Sequence, residues 1–460
     1  MKTGNIDCFL MFDFLRLSCF GLLILFVFGT VRDGIGAEPP GKGKTEECFR
    51  YLNTFHDRNV FSGNILVLKK QDTLLNFSSG YADAENQVRN QPKTLFHIGT
   101  AGQLFTGLMM LTLMEADSYP GFTTRLSEFY PEIKNADKIS VDDLLMHRSG
   151  LPEVFYDNRL RKAAKLAGSD GVAAETAKLP NAFFPGSKFS YNPLNYVFLG
   201  YMQEAVTASS FSELVKKEIA DPLSLSSLRL IRKAEQPKGL ALGYTISGSE
   251  YNNSAEEALP ALFGAEGLVI NALDLACFLQ SLFEDRYFLS ATVPGQMTNI
   301  RDGYGRGMSE FRYERGTAFG HVGGMGNYAC MALYFPEDSV TAVLMSNGSE
   351  YPVHQIMKGV LQCLSGSIPE WPTFQRANVS TSTLKTYAGR YVKDGFPVEV
   401  WVELTGNSLS VRLNDEDAFM LVPESDSVFY YYPSAAKIVF RPGGLIYEEG
   451  ALRLEMKKRN

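Results

Sequence analysis

The sequence has no CxxC pair, and its six cysteines (Cys8, Cys19, Cys48, Cys277, Cys330 and Cys363) lie far apart. A structural zinc site needs ligands paired at short spacing, so none is expected. His56, His97 and His354 show no metal spacing either, and neither a metal nor another cofactor is expected. Long runs of Lys or Arg are missing, and the formal net charge is −7. Nucleic acid is excluded as a partner, because neutralising phosphates requires a basic footprint. Internal repeats are absent. The apolar run Leu17–Val31 is 15 residues long, short of the roughly 20 that a bilayer span needs. Gly34, Gly36 and Ala37 follow it as small residues that a signal peptidase could cut, so residues 1–37 read as a secretory signal peptide. Its flank is mixed, with Lys2 and Arg16 matched by Asp7 and Asp13. The expected location is periplasmic or extracellular. Membrane contact is expected only if the apolar segment stays uncleaved as an anchor. Cys8 and Cys19 would leave with the signal. The other four cysteines are expected as buried thiols rather than two disulfides.

What remains is an ordinary globular composition, 45% apolar and 21% charged, in a chain long enough for two or three domains. A helix is expected near Glu46–His56. A hairpin follows from Gly63–Lys70 and Thr73–Gly80 across Gln71-Asp72. From about Thr100 to Ala116, Leu104, Phe105, Leu108, Leu111 and Met114 recur at helical spacing. That helix is apolar nearly all round, so it should be buried and central. Strands return at "YGRGMSEFRY", "GTAFGHVGG", "NYACMALYFP" and "SVTAVLMSN". Strands at both ends with helices between predict an α/β (α+β) layered domain over 45–365, its antiparallel sheet closed by its two termini. Residues 366–383 are rich in Pro, Ser and Thr and read as a linker. Residues 384–460 show short alternating strands without a helical pattern, predicting a small all-β barrel or sandwich.

The chemistry-bearing pattern begins in "LFHIGTAGQLFTG", where Thr100 and Gln103 stand three apart at a helix opening. A hydroxyl followed at that distance by a base is the layout of an activated nucleophile, but a carboxamide takes no proton at any useful pH. Three further segments follow in order: "LLMHRSGLP", "FSYNPLNYVFLGY" and "FGHVGGMGNY". Together they resemble the serine β-lactamase and penicillin-recognising hydrolase family, in particular its class C and D-alanyl-D-alanine carboxypeptidase-like branch, over about 61–364. The module opening "LKTYAGRYV" resembles the lipocalin-like appendage of such chains.

The resemblance implies a Ser-x-x-Lys pair, a Tyr-x-Asn loop and a Lys- or His-x-Gly strand lining one cleft. On this chain Thr100 stands for the serine and Gln103 for the lysine. Tyr191 is kept, and Pro193 replaces the asparagine. His321 and Gly323 keep the strand motif, and Gly324 is placed to offer the second N–H of an oxyanion hole beside that of Thr100. Losing a positioned base costs about 10²–10⁴ in rate. The implied function is therefore that of a catalytically impaired or non-catalytic relative, a pseudoenzyme holding a peptide, ester or cell-wall-like small molecule in a retained cleft. The alternative is an active hydrolase, an esterase or D-amino-acid peptidase, in which Tyr191 and His321 act on Thr100. Blander readings are available for single residues. Thr100 suits a helix N-cap, Gln103 a polar place on the first helical turn, and His147 a cap for carbonyls in a tight turn. Asn76, Asn252, Asn347 and Asn378 stand in N-x-Ser/Thr contexts and would be surface glycosylation sites in a glycosylating host.

Overall fold

The computed structural model describes residues 43–460 apart from 117–118, 154–156, 232–236, 248–249, 254–261, 285–291, 373, 375–376, 394–398, 414–417, 432–435, 450–451 and 460. The expected signal peptide, Cys8 and Cys19 lie outside the described residues.

A six-stranded antiparallel sheet forms the centre. Its strands are β1 (Phe61–Lys69), β2 (Asp72–Ser79), β3 (Ser309–Tyr313), β4 (Gly316–Met325), β5 (Tyr328–Phe335) and β6 (Val340–Ser349), in spatial order β3-β4-β5-β6-β1-β2. The two ends of the domain meet where β1 pairs with β6, from Phe61 opposite Ser349 to Lys69 opposite Val340. The expected closure of the sheet by its termini is therefore present. "YGRGMSEFRY" differs from expectation, because pairing with β4 begins only at Ser309 and leaves Tyr304–Met308 as a loop.

Both faces of this sheet are covered, so its strands alternate between two cores rather than between core and water. Ile65, Val67, Met331, Leu333 and Leu344 face a layer made by α1 (Lys44–His56) and α5 (Val353–Ser365). Leu66, Leu68, Cys330, Val343 and Met345 face the larger helical layer. That layer includes α2 (Gln103–Glu115), α3 (Leu194–Thr207) and α4 (Ala272–Glu284). The first nine residues of α2 are all buried, as its all-round apolar sequence requires.

The expected linker ends in a two-turn helix, α6 (Thr381–Tyr387), whose N-cap Ser380 accepts a hydrogen bond from the Thr383 N–H. It packs on the C-terminal sheet. That sheet has nine short strands between Gly389 and Arg459, and its outermost strands, Phe419–Met420 and Val422–Pro423, are separated in sequence only by Leu421. The result is a nearly closed barrel with very short edges. No helix among the described residues is long and apolar enough to cross a membrane.

Candidate active site

Thr100 lies in a 3-10 turn, Gly99–Gly102, that leads directly into α2. It is not a helix N-cap: Ile98 and Gly102 hold those positions, and neither cap uses a side-chain hydrogen bond. The turn rests on β4 at very close range. A Cβ added to Gly323 would sit 2.2 Å from Ala101 N and 2.9 Å from Thr100 N; one added to Gly99, at φ +52°, would sit 2.3 Å from Gly324 O. Only glycine tolerates these approaches. Thr100, Gly323 and Gly324 are thereby brought together, backbone against backbone.

Strand alternation turns His321 to the helical side of the sheet, opposite Ala332. Its Nδ1 is 2.7 Å from the Val322 carbonyl and its Nε2 is 3.3 Å from Tyr304 Oη. Neither ring nitrogen hydrogen-bonds Thr100. Burial lowers the His321 pKa to about 4.

The centre of the site is Gln103, fully buried on the first turn of α2. Its Nε2 donates to Tyr191 Oη at 2.8 Å, and its Oε1 accepts from Tyr304 Oη at 2.9 Å. His147 Nε2 lies 3.2 Å from the same Oε1. His147 Nδ1 lies 3.1 Å from both the Asn192 N–H and the Asn192 carbonyl and 3.0 Å from Asn195 Nδ2; the Gln103 oxygen, which can only accept, places the proton on Nε2. Burial, reinforced by His321, holds the His147 pKa well below the usual histidine value, and burial holds that of Tyr304 well above the usual tyrosine value. His147 and Tyr304 therefore stay neutral at neutral pH. The carboxamide is thus clamped by a phenol, a second phenol and an imidazole that between them use both its oxygen and its nitrogen.

His147 does face a loop carbonyl, that of Asn192 at 3.1 Å from Nδ1, but its other nitrogen turns to Gln103. It is a wall of the site at φ +52°, with its ring 4.5 Å from those of both Tyr191 and Tyr304. Tyr304, which sequence reasoning missed, is set by two ion pairs that fasten its loop to the His147 segment. Arg148 Nη1 reaches Asp302 at 2.6 Å, and Arg306 Nε reaches Asp142 at 2.8 Å. Pro193 serves the start of α3: its carbonyl accepts the Tyr196 N–H at 3.0 Å, while Asn192 Oδ1 caps Leu194 N. Among the described residues, Thr100 Oγ1 makes no hydrogen bond, so no base is aligned on the hydroxyl.

The barrel reaches both flanks of this region. Lys393 lies 3.5 Å from Glu153, which also accepts from Ser190 Oγ, next to Tyr191. Tyr431 Oη donates to Asn327 Oδ1, just beyond β4. Elsewhere, Asn347 is completely buried. Its amide donates to the Tyr81 and Leu242 carbonyls and its oxygen accepts from Ser62, so it is no surface glycosylation site. Asn252 and Asn378 are exposed.

The chain is similar to several known proteins. A teichoic acid D-alanine hydrolase of Staphylococcus aureus is 25% identical over 244 residues, spanning 52% of this chain and 59% of that protein, under two thirds of its length. In fold, the chain is similar to the D-amino acid amidase of Ochrobactrum anthropi, with 19% identity, 70% of this chain and 99% of that one covered, and a TM-score of 0.62. A penicillin-binding protein homologue from Pyrococcus abyssi gives the same TM-score at 23% identity, covering 90% of this chain and 99% of that one. Coverage that high extends over the C-terminal sheet as well. The family model described as Beta-lactamase matches residues 47–361, from α1 to α5, and encloses every segment of the Gln103 cluster. With that match over most of the chain, on a helix start, loop and strand that meet as described, the chain belongs to the Beta-lactamase family.

Proposed function

We propose that this chain is a catalytically impaired member of its family that holds a D-amino-acyl ester, amide or short peptide in the cleft above Thr100. The observation that carries the reading is the saturated carboxamide of Gln103, in the position where the resemblance calls for an ionisable amine. Acyl transfer needs the nucleophile's proton removed as the C–O bond forms. Gln103 Oε1 accepts from Tyr304 and His147, and neither of these partners is charged at neutral pH. His321 is a weak base, with a pKa of about 4, and its nitrogens face Tyr304 and Val322. What the site retains suits binding. Thr100 packs on the Gly323-Gly324 backbone, Tyr191 meets the same helix start through Gln103, and barrel residues contact the flanking segments. The ligand class follows from what relatives act on: an alanine of D configuration for the hydrolase, and D-amino acids for the amidase.

The test is to incubate the purified chain with a chromogenic ester and a fluorescent penicillin, and to measure turnover and intact mass. The expected result is no turnover and no adduct, with saturable binding of D-alanine amide by calorimetry. A covalent adduct on Thr100 in the unaltered chain would overturn the reading in favour of an active hydrolase. The double substitution Thr100→Ser and Gln103→Lys should gain acylation, because it restores an amine beside an unhindered hydroxyl.

A further inference from the structure

On the far side of the sheet, α1 and α5 run antiparallel in a register fixed by three contacts. Lys44 Nζ donates to the Ser365 carbonyl at 3.3 Å, Cys48 Sγ to the Val360 carbonyl at 3.7 Å, and Tyr51 Oη to the Gln355 carbonyl at 3.2 Å. The helices are in intimate contact, since a Cβ on Gly359 would fall 2.2 Å from the Tyr51 ring. This register brings Cys48, on the first turns of α1, against Cys363, on the last turn of α5. The Cys48 and Cys363 thiols are immediate neighbours across the two helices. Both are buried, and both are thiols in this structure. Among the described residues, neither Cys277 nor Cys330 hydrogen-bonds another thiol.

We infer that Cys48 and Cys363 are a disulfide-forming pair that staples the first helix of the β-lactamase-like domain to its last. Two neighbouring thiols, on packed helices whose register is held by flanking contacts, need little backbone movement to reach bonding geometry. Either thiol can react first while both are still exposed during folding. Where Cys363 leads, its thiolate attacks one sulfur of an external disulfide, either glutathione disulfide or the active-site disulfide of an oxidoreductase, and expels one thiolate. Cys48 then gives up its proton and attacks Cys363 Sγ, expelling the second thiol. One S–S bond replaces two S–H bonds, and the external disulfide takes up two electrons and two protons. Because both sulfurs are buried after packing, exchange belongs to the folding stage, before α1 docks. The bond would close nearly the whole domain into one loop, the case in which a cross-link restricts the unfolded chain most. Export directed by the apolar leader would bring the pair into an oxidising compartment.

The full chain, reduced and unfolded, is refolded in a glutathione redox buffer, alkylated, digested without reduction and mapped by mass spectrometry. The expected product joins the Cys48 and Cys363 peptides while Cys277 and Cys330 are alkylated. Adding reductant should lower the melting temperature by roughly 3 °C or more, and this shift should vanish in Cys48→Ser. Cys363→Ala serves as the second variant should Cys48→Ser fold poorly. Recovery of both cysteines alkylated from the refolded chain, or of Cys48 joined to any other cysteine, overturns the inference.

Discussion

The Gln103 clamp can be measured by replacing Gln103 with Met, which keeps chain length and approximate volume but removes three hydrogen bonds. Their losses are unequal. Tyr304 Oη can redirect its proton to His321 Nε2, 3.3 Å away. Tyr191 Oη loses a donor but sits at the cleft wall. His147 Nε2–H would face a thioether; a tautomer shift would give Nδ1–H the Asn192 carbonyl at 3.1 Å but leave the Asn195 amide without its acceptor. One orphaned buried donor costs about 1–3 kcal/mol, and each bond lost with partial compensation costs about 0.5–1.5 kcal/mol. Gln103→Met should therefore destabilise the folded chain by about 2–4 kcal/mol. The assay is equilibrium urea unfolding followed by far-UV circular dichroism, because the two tryptophans, Trp371 and Trp401, lie outside the site. A cycle with Tyr304→Phe should show a coupling of at least about 0.5 kcal/mol. A Met variant within about 0.5 kcal/mol of the parent, or strict additivity in the cycle, would refute the clamp.

Acid should weaken the fold through its buried imidazoles. Burial lowers His97 and His321 from 6.5 to about 4 in the folded chain. Below pH 6.5 the unfolded state therefore binds protons that the native state refuses, and stability falls from pH 6.5 down to about 4 by up to about 3 kcal/mol for each. Urea midpoints across that range that do not fall with pH would contradict this. Gly323→Ala places a methyl 2.2 Å from Ala101 N and 2.5 Å from Ile98 O. It should cost about 2 kcal/mol or more and abolish ligand binding, read by thermal melts and calorimetry. Expression in a glycosylating host should leave Asn347 unmodified while exposed Asn252 and Asn378 remain available, and a glycan on Asn347 in folded protein would contradict its burial.

The architecture was readable because the pattern in each segment was strong. The all-round apolar run after Thr100 could only be an internal helix, and the four closing strands announced themselves by β-branched and aromatic residues. The site was half readable. Spacing located Thr100, Gln103, Tyr191 and His321, but it carries no information on what a carboxamide binds once buried. His147 and Tyr304 are 44 and 201 residues from Gln103, and only folding makes them neighbours. Local patterns also misled. The N-x-Ser context of Asn347 is blind to burial. The Ser/Thr-rich stretch read as linker conceals a true N-cap at Ser380. Thr100 resembles an N-cap in composition while its turn rests on two glycines of a strand that is distant in sequence.

The pairing of β1 with β6 also governs how the chain comes off the ribosome. The hairpin of β1 and β2 is among the first parts of the domain to be synthesised, yet the neighbour on its open edge is made more than 250 residues later. Until then a hydrogen-bonding edge stands unprotected on a nascent polypeptide, and the central sheet cannot be completed one strand at a time in order of synthesis. This contact order predicts slow completion of the central sheet.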